Sequence, residues 1–247
     1  MKKLVVITGA SSGFGAVLAK ALSEKGYALA LLARRLDKML ALSLPDCICF
    51  DVDVDVDVDV DVTSRTDVFD AIRKAEDIYG PVDCIVNNAG VMLLSNLDSQ
   101  SFEECKRMVD VNILGVVNGM QAVLPSMRRR KTGTIINISS VAGVKTYEFH
   151  AAYSATKFAV HGLSESVRWE VAPDNVRVIT ISPGAAETEL LDHVTKQNIK
   201  DDYLMWKESI GGVISAKDVV DAIVFSYEMP QHVCIRDLQV APTKQQN

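Results

Sequence analysis

Leu4 to Ile7, a short apolar run rich in β-branched residues, ends abruptly in Thr8-Gly9-Ala10-Ser11-Ser12-Gly13-Phe14-Gly15, after which Ala16, Ala19 and Leu22 recur at helical spacing. The pattern predicts a strand, a glycine turn and a helix. Gly26 stops the helix, Ala28 to Ala33 reads as a second buried strand, and Leu36 to Leu42 as a short amphipathic segment. Two strands joined through a helix must pair in parallel, so the chain is committed from its start to an α/β sheet covered on both faces.

The alternation continues. Helices are predicted over Val68 to Tyr79, Phe102 to Met108, Leu114 to Arg129 and Ala152 to about Glu170, with a further one opened by the Ser215-x-x-Asp218 cap. Strands are predicted over Cys47 to Phe50, Cys84 to Val86, Thr134 to Ile138, Val176 to Ile181 and near Val233 to Ile235. Together with the first two they make seven strands in one doubly wound parallel sheet. No Pro-, Gly- or Ser-rich linker divides the chain, so residues 1–247 read as a single nucleotide-binding domain. An Asp-Val repeat over residues 51–62 reads as an insertion.

That repeat also explains the charge. The net charge is −6, with 32 acidic and 26 basic residues; removing the six Asp of the repeat leaves 26 against 26. A balanced body whose only basic cluster is Arg128-Arg129-Arg130-Lys131, at a helix end, does not suit nucleic-acid binding, which depends on phosphate neutralisation. Alternating Asp and Val put all Val on one strand face and all Asp on the other. Twelve such residues exceed a usual strand, so part of the tract must leave the sheet; a calcium site is the other reading, less favoured because the carboxylates lack a wrapping turn. No uninterrupted apolar run approaches a bilayer span, and Thr8-Gly9 ends the first apolar run too early for a secretion signal, so no membrane partner and a cytoplasmic location are expected. Five cysteines without a C-x-x-C pair read as reduced thiols. Cys47-x-Cys49 is the one spacing that could serve a metal or redox role, and four histidines add no ligand spacing, so no metal is expected.

The chemistry gathers at the predicted strand ends. Gly9, Gly13 and Gly15 would let the backbone approach a pyrophosphate and aim a helix N-terminus at it. At the end of the second strand, where an acidic residue would bind the ribose 2′-hydroxyl of NAD, the chain has Arg34-Arg35, whose forked donors suit a 2′-phosphate, so NADP(H) is favoured. Tyr153 and Lys157 stand at i and i+4, side by side on one helix face. Ser139 and Ser140 close the strand ending at Ile138, and Asn112 could approach the same edge.

T-G-A-S-S-G-F-G at 8–15, N-N-A-G at 87–90, N-I-S-S at 137–140, Y-S-A-T-K at 153–157 and S-P-G at 182–184 resemble the short-chain dehydrogenase/reductase family over essentially the whole chain. The resemblance implies a Rossmann fold and an NAD(P)(H)-dependent oxidoreductase, commonly a homodimer or homotetramer. It implies Tyr153 as general acid/base, Lys157 as the group that binds the nicotinamide ribose and lowers the Tyr pKa, and Ser140, by its interval from the tyrosine, as the carbonyl-orienting hydroxyl. Asn112 would hold a relay water. For the cofactor it implies Gly9, Ser11, Ser12, Gly13, Phe14 and Gly15, then Asn88, Ala89 and Gly90, then Pro183, Gly184 and Thr188. An Asp-Val pair should contact adenine: Asp61-Val62 is preferred, with Asp53-Val54 as rival.

Within the family, the start, the Arg34-Arg35 pair and the tail from His232 to Gln246 are most similar to bacterial members acting on serine and 3-hydroxy acids, and to members that bind NADPH and brighten its blue emission. The expected activity is reduction of a small polar carbonyl or oxidation of its alcohol; the alternative is NADPH binding with little turnover. Met92, Val141, Tyr147, Phe149, His150 and the stretch 189–212, including Tyr203, Met205 and Trp206, are expected to face the substrate. The three helices Phe102–Met108, Leu114–Arg129 and Ala152–Glu170 are expected to make subunit contacts.

Overall fold

The computed structural model describes residues 2–50 and 61–246. Strands β1 (Leu4–Thr8), β2 (Ala28–Leu32) and β3 (Cys47–Phe50) alternate with helices α1 (Gly13–Glu24) and α2 (Leu36–Leu40). Then follow α3 (Arg65–Tyr79), β4 (Val82–Asn87), α4 (Phe102–Val109), α5 (Gly115–Arg130), β5 (Thr134–Ile138), α6 (Ala151–Val171), β6 (Arg177–Pro183), α7 (Gln197–Ser209), α8 (Ala216–Glu228) and β7 (Asp237–Val240). The strands form one seven-stranded sheet in the order β3-β2-β1-β4-β5-β6-β7, every pair parallel. This is the Rossmann arrangement expected from the sequence.

Strand alternation divides the core into two layers. Leu4, Val6, Ala28, Ala30 and Leu32 face one, against α3 and α5, while Val5, Ile7, Leu29 and Leu31 face the other, against α1 and α8. All of β1 and β2 is buried, which is why both read as continuous apolar runs. The order reverses between β1 and β4, and there the strand ends open the crevice where such sheets bind ligands.

Three expectations change. Helices α4 and α5 are one continuous rod, joined by a π turn over Asp110–Leu114, where the Gly115 N–H bonds back to the Asp110 carbonyl. This 29-residue rod is apolar and long enough by composition to cross a bilayer, yet it packs against β4, α3 and α6 as a layer of the fold. The last strand is not at Val233–Ile235 but at Asp237–Val240. The carbonyls of Met229 and Val233 accept from the buried guanidinium of Arg177, at 2.7 and 3.4 Å, so the chain crosses β6 as a loop, and pairing begins only where Thr180 N–H reaches the Arg236 carbonyl. Finally, the stretch 189–212, for which no element is predicted, contains a full helix, α7, which carries Tyr203, Met205 and Trp206. The Asp-Val expectations, including the rival Asp53-Val54, lie outside the described residues except at Asp61-Val62.

Candidate active site

A cleft of about 870 Å³ runs over the C-terminal ends of β1, β2, β4, β5 and β6. It reaches from Ala33, Arg34 and Arg35 past the glycine turn and Asn88-Ala89-Gly90 to Ser140, Tyr153, Lys157, Pro183 and Gly184. The volume falls in the ordinary range for small-molecule sites.

At one end the backbone is shaped for close approach. Gly9 and Gly13 take left-handed φ values of 65° and 51°, and a Cβ on Gly15 would lie 2.4 Å from the Gly9 carbonyl oxygen. The N-cap residue of α1, Ser12, makes no side-chain cap, leaving the first-turn amides of α1 directed at the cleft. Asn88 locks the turn: its Nδ2 donates to the Thr8 and Gly9 carbonyls at 2.9 and 3.2 Å. The Asn88 and Ala89 amides donate to Thr8 Oγ1. Arg35 donates to the hydroxyls of Ser11 and Ser12 at 3.2 and 2.7 Å, and Arg34 lines the same rim. This donor set suits a dinucleotide carrying a further phosphate: amides for a pyrophosphate, two exposed guanidinium groups for an additional anion.

Asp61 and Val62 lie on the adjoining wall. Val62 packs against Gly115, its carbonyl accepts from buried Asn118 Nδ2 at 2.8 Å, and Asp61 accepts from Thr63 N–H at 2.9 Å.

At the other end Tyr153 is 4% exposed, and its phenol hydrogen-bonds the Ser140 side chain. Burial pushes the phenol pKa well above its usual value, the Ser140 bond pulls it down, and neighbouring Tyr203 raises it. Lys157, one turn along α6, is 5% exposed and donates to the Ile138 carbonyl at 3.0 Å. Burial pulls its pKa down to about 8. The adjacent serines diverge as residues at a strand end must: Ser140 turns to Tyr153, whereas Ser139 donates to the Lys157 carbonyl at 3.1 Å.

Asn112 sits in the π turn, 1% exposed. Its Oδ1 accepts from Val91 N–H, and its Nδ2 donates to the Val91 carbonyl, both at 2.9 Å, and to Thr156 Oγ1 at 3.1 Å. Asp110 and Val111 of this turn line the cleft, whereas Asn112, expected at the same edge, does not and is buried beside Gly90, whose added Cβ would lie 3.4 Å from its Oδ1.

Rings form the wall beyond Tyr153. His150 lies 6.1 Å from Tyr153, 5.6 Å from Tyr147 and 6.3 Å from Tyr203, which stands 5.3 Å from Trp206. Burial lowers the His150 pKa and pushes Tyr203 up to about 12, so both are neutral near pH 7. Met92, Val141 and Phe149 line the same cleft; Met205 does not and is 61% exposed.

Thr8, Val91 and Thr156, which hold the site together, were not singled out from the sequence, although Thr8 opens the glycine motif. Gln245 was missed too. It lines the cleft, accepts from Ala185 N–H at 2.8 Å and hydrogen-bonds Tyr147, and no sequence signal marks a tail residue for that place. Among the described residues no cluster of His, Cys, Asp or Glu could hold a metal ion, and all five cysteines are free.

The family model for short chain dehydrogenases matches residues 3–199. The chain belongs to the short-chain dehydrogenase family. An uncharacterized oxidoreductase of Listeria monocytogenes is 38% identical to this dehydrogenase over 245 residues, 98% of this chain and 97% of that one. Among solved structures, the closed form of a serine dehydrogenase complexed with NADP+ superposes with a TM-score of 0.88 at 28% identity, over 99% of this chain and 96% of that one. An alcohol dehydrogenase from Thermococcus sibiricus, complexed with 5-hydroxy-NADP, gives 0.84 at 27% identity, over 100% and 99%.

Proposed function

We propose that this dehydrogenase moves a hydride between NADP(H) and a small carbonyl or alcohol substrate, acting on CH–OH groups with Tyr153 as general acid and base. The observation that carries the reading is the meeting of Ser140, Tyr153 and Lys157 at one end of a cleft whose other end holds the glycine turn with Arg34 and Arg35. NADP(H), when bound, supplies or accepts the hydride. Gly9, Ser11, Ser12, Gly13, Phe14 and Gly15 seat its pyrophosphate, Arg34 and Arg35 its additional phosphate, and Asp61-Val62 the adenine end. Asn88, Ala89 and Gly90 flank the ribose, and Pro183, Gly184 and Thr188 the nicotinamide side.

Ser140 orients the substrate oxygen, and Tyr153 gives that oxygen a proton during reduction or removes one during oxidation. The Ser140 bond opposes the burial that holds the phenol un-ionised, and the Lys157 ammonium, 5.8 Å from the Tyr153 ring, would favour the phenolate further. Asn112, its carboxamide bonded to Val91 and Thr156, would hold a water of the proton relay. Exposed Phe102, Val109, Leu114 and Phe158 on α4, the π turn and α6 support a homodimer or homotetramer. The free thiols suit the reducing cytoplasm.

The test offers NADPH with small aldehydes and keto acids, and NADP+ with amino-acid-like alcohols, serine and 3-hydroxy acids included because a structural relative is a serine dehydrogenase. Substrate-dependent consumption of NADPH by the carbonyls, or its formation from NADP+ with the alcohols, is expected and should be lost in Tyr153→Phe. Binding that brightens NADPH with no turnover across the panel would overturn the reading; no observation on the structure favours that outcome.

A further inference from the structure

Beyond Tyr153 and Lys157, the same stripe of α6 carries a third ionisable residue one turn on, His161. Its Nδ1 lies 3.1 Å from Asp237 Oδ2 on β7, its Nε2 lies 3.1 Å from Ser182 Oγ on β6, and the ring hydrogen-bonds the Ser140 main chain. The chain of Ser182, His161 and Asp237 has the order of a nucleophilic triad, but Ser182 is fully buried and opens onto no substrate space, so acyl chemistry is ruled out. The ring instead faces the back of the active site. A Cβ on Gly143 would meet His161 Cδ2 and the Lys157 carbonyl, each at 2.8 Å, so the turn Val141–Gly143 that follows Ser140 is moulded on this ring.

We propose that His161, oriented by Asp237, is a positioning residue that holds the Ser140 main chain and the Val141–Gly143 turn so that the Ser140 hydroxyl meets Tyr153. The inference rests on the proposed roles of Ser140 and Tyr153. Four charged groups bear on the ring: Asp237 from β7, Arg236 just before it, and Glu165 and Lys157 from α6. Asp237 favours the imidazolium, while burial and Lys157 oppose it, and the balance leaves its pKa below the usual histidine value. Charging the ring as pH falls places a second cation behind Lys157, so turnover should lose an increment on the acid side that belongs to His161.

The experiment compares the full-length protein with His161→Ala, His161→Gln and Asp237→Asn, reading kcat and KM across pH 5 to 9, NADPH binding by fluorescence, and melting. His161→Ala should lower kcat about tenfold or more, as displaced supporting groups do, with NADPH affinity changed less than about twofold. His161→Gln, which keeps a hydrogen-bonding side chain, should recover much of kcat but lose the acid-side inflection; Asp237→Asn should shift that inflection downward. If His161→Ala fails to fold, His161→Gln and Asp237→Asn still decide the matter. An acid limb unchanged from the wild type in both overturns the proposal. Retention of turnover in Tyr153→Phe would instead overturn the assigned chemistry, so the two failures are distinguishable.

Discussion

Glu189 reaches across the mouth of the cleft to Arg35, with its carboxylate oxygen 2.9 Å from the guanidinium and its other oxygen 3.4 Å from Lys38 Nζ. Arg35 holds the Glu189 carboxyl below its usual pKa, so the carboxylate is charged throughout the working pH range. It therefore occupies a donor that the proposed contact with the cofactor's additional phosphate would use. Exposed pairs of this kind contribute up to about 1 kcal/mol. Glu189→Gln should tighten NADPH binding by up to about fivefold and leave NADH unchanged, measured by fluorescence titration; weaker NADPH binding would mean that Glu189 pre-orients Arg35.

Replacing Arg34 and Arg35 together by Ala should weaken NADPH by about one to two orders of magnitude, the scale of charge-assisted hydrogen bonds. NADH, which has no 2′-phosphate, should change little. The two dissociation constants, measured side by side, decide it: equal weakening would refute the phosphate assignment.

Much of this site is legible in the sequence because its parts are local. Thr8 to Gly15 spans one turn between a strand and a helix, and Tyr153 to Lys157 spans one turn of α6, so residue spacing alone places each group. What escaped notice is set by long-range partners. The π turn at Asn112 exists because its carboxamide pairs with Val91, 21 positions away, and no local pattern announces an i→i+5 turn. Val233-Cys234-Ile235 has strand-like composition, but Arg177 takes the Val233 carbonyl, and the strand starts later. Asn88 lines the cleft, and no local pattern announces that its side chain also donates to the Thr8 and Gly9 carbonyls of a distant strand end.

Lys157 separates catalysis from stability. Its pKa is pulled from 10.5 to about 8 by burial alone, so the folded protein binds its proton less tightly than the unfolded chain does. The resulting cost to stability is fully present below about pH 8 and is relieved as pH rises from about 8 towards 10.5. Lys157→Met should therefore melt in urea no earlier than wild type at pH 7, or later by up to about 2 kcal/mol, while turnover falls at least about a hundredfold. A strongly destabilised Lys157→Met would show that the bond to the Ile138 carbonyl outweighs the buried charge.

Arg177 is the opposite case, a buried cation whose guanidinium is satisfied. It is 5% exposed and donates to Thr134 Oγ1 and to the carbonyls of Tyr227 and Met229 at 2.7 to 3.0 Å, tying the end of α8 to β5 and β6. Arg177→Ala leaves these carbonyls without their donor and should cost about 3 kcal/mol or more in urea unfolding, while Arg177→Lys, lacking the fork, should recover only part. Loss of less than about 1 kcal/mol would mean that water replaces the guanidinium.

Asp61 and Val62 allow a direct test of the Asp-Val repeat. Val62 is fixed to α5 by its packing on Gly115 and by the Asn118 bond to its carbonyl, contacts made entirely on the far side of the tract. If this pair meets the adenine end, replacing Asp61 and Val62 by Ala should weaken NADPH and NADH equally, because both carry the same adenine, while the same replacement at Asp53-Val54 should leave both affinities within about twofold of wild type. If Asp53-Val54 is the contacting pair instead, the loss should fall on that variant and spare the first. Titrating the two variants with the two cofactors distinguishes these outcomes without reference to turnover.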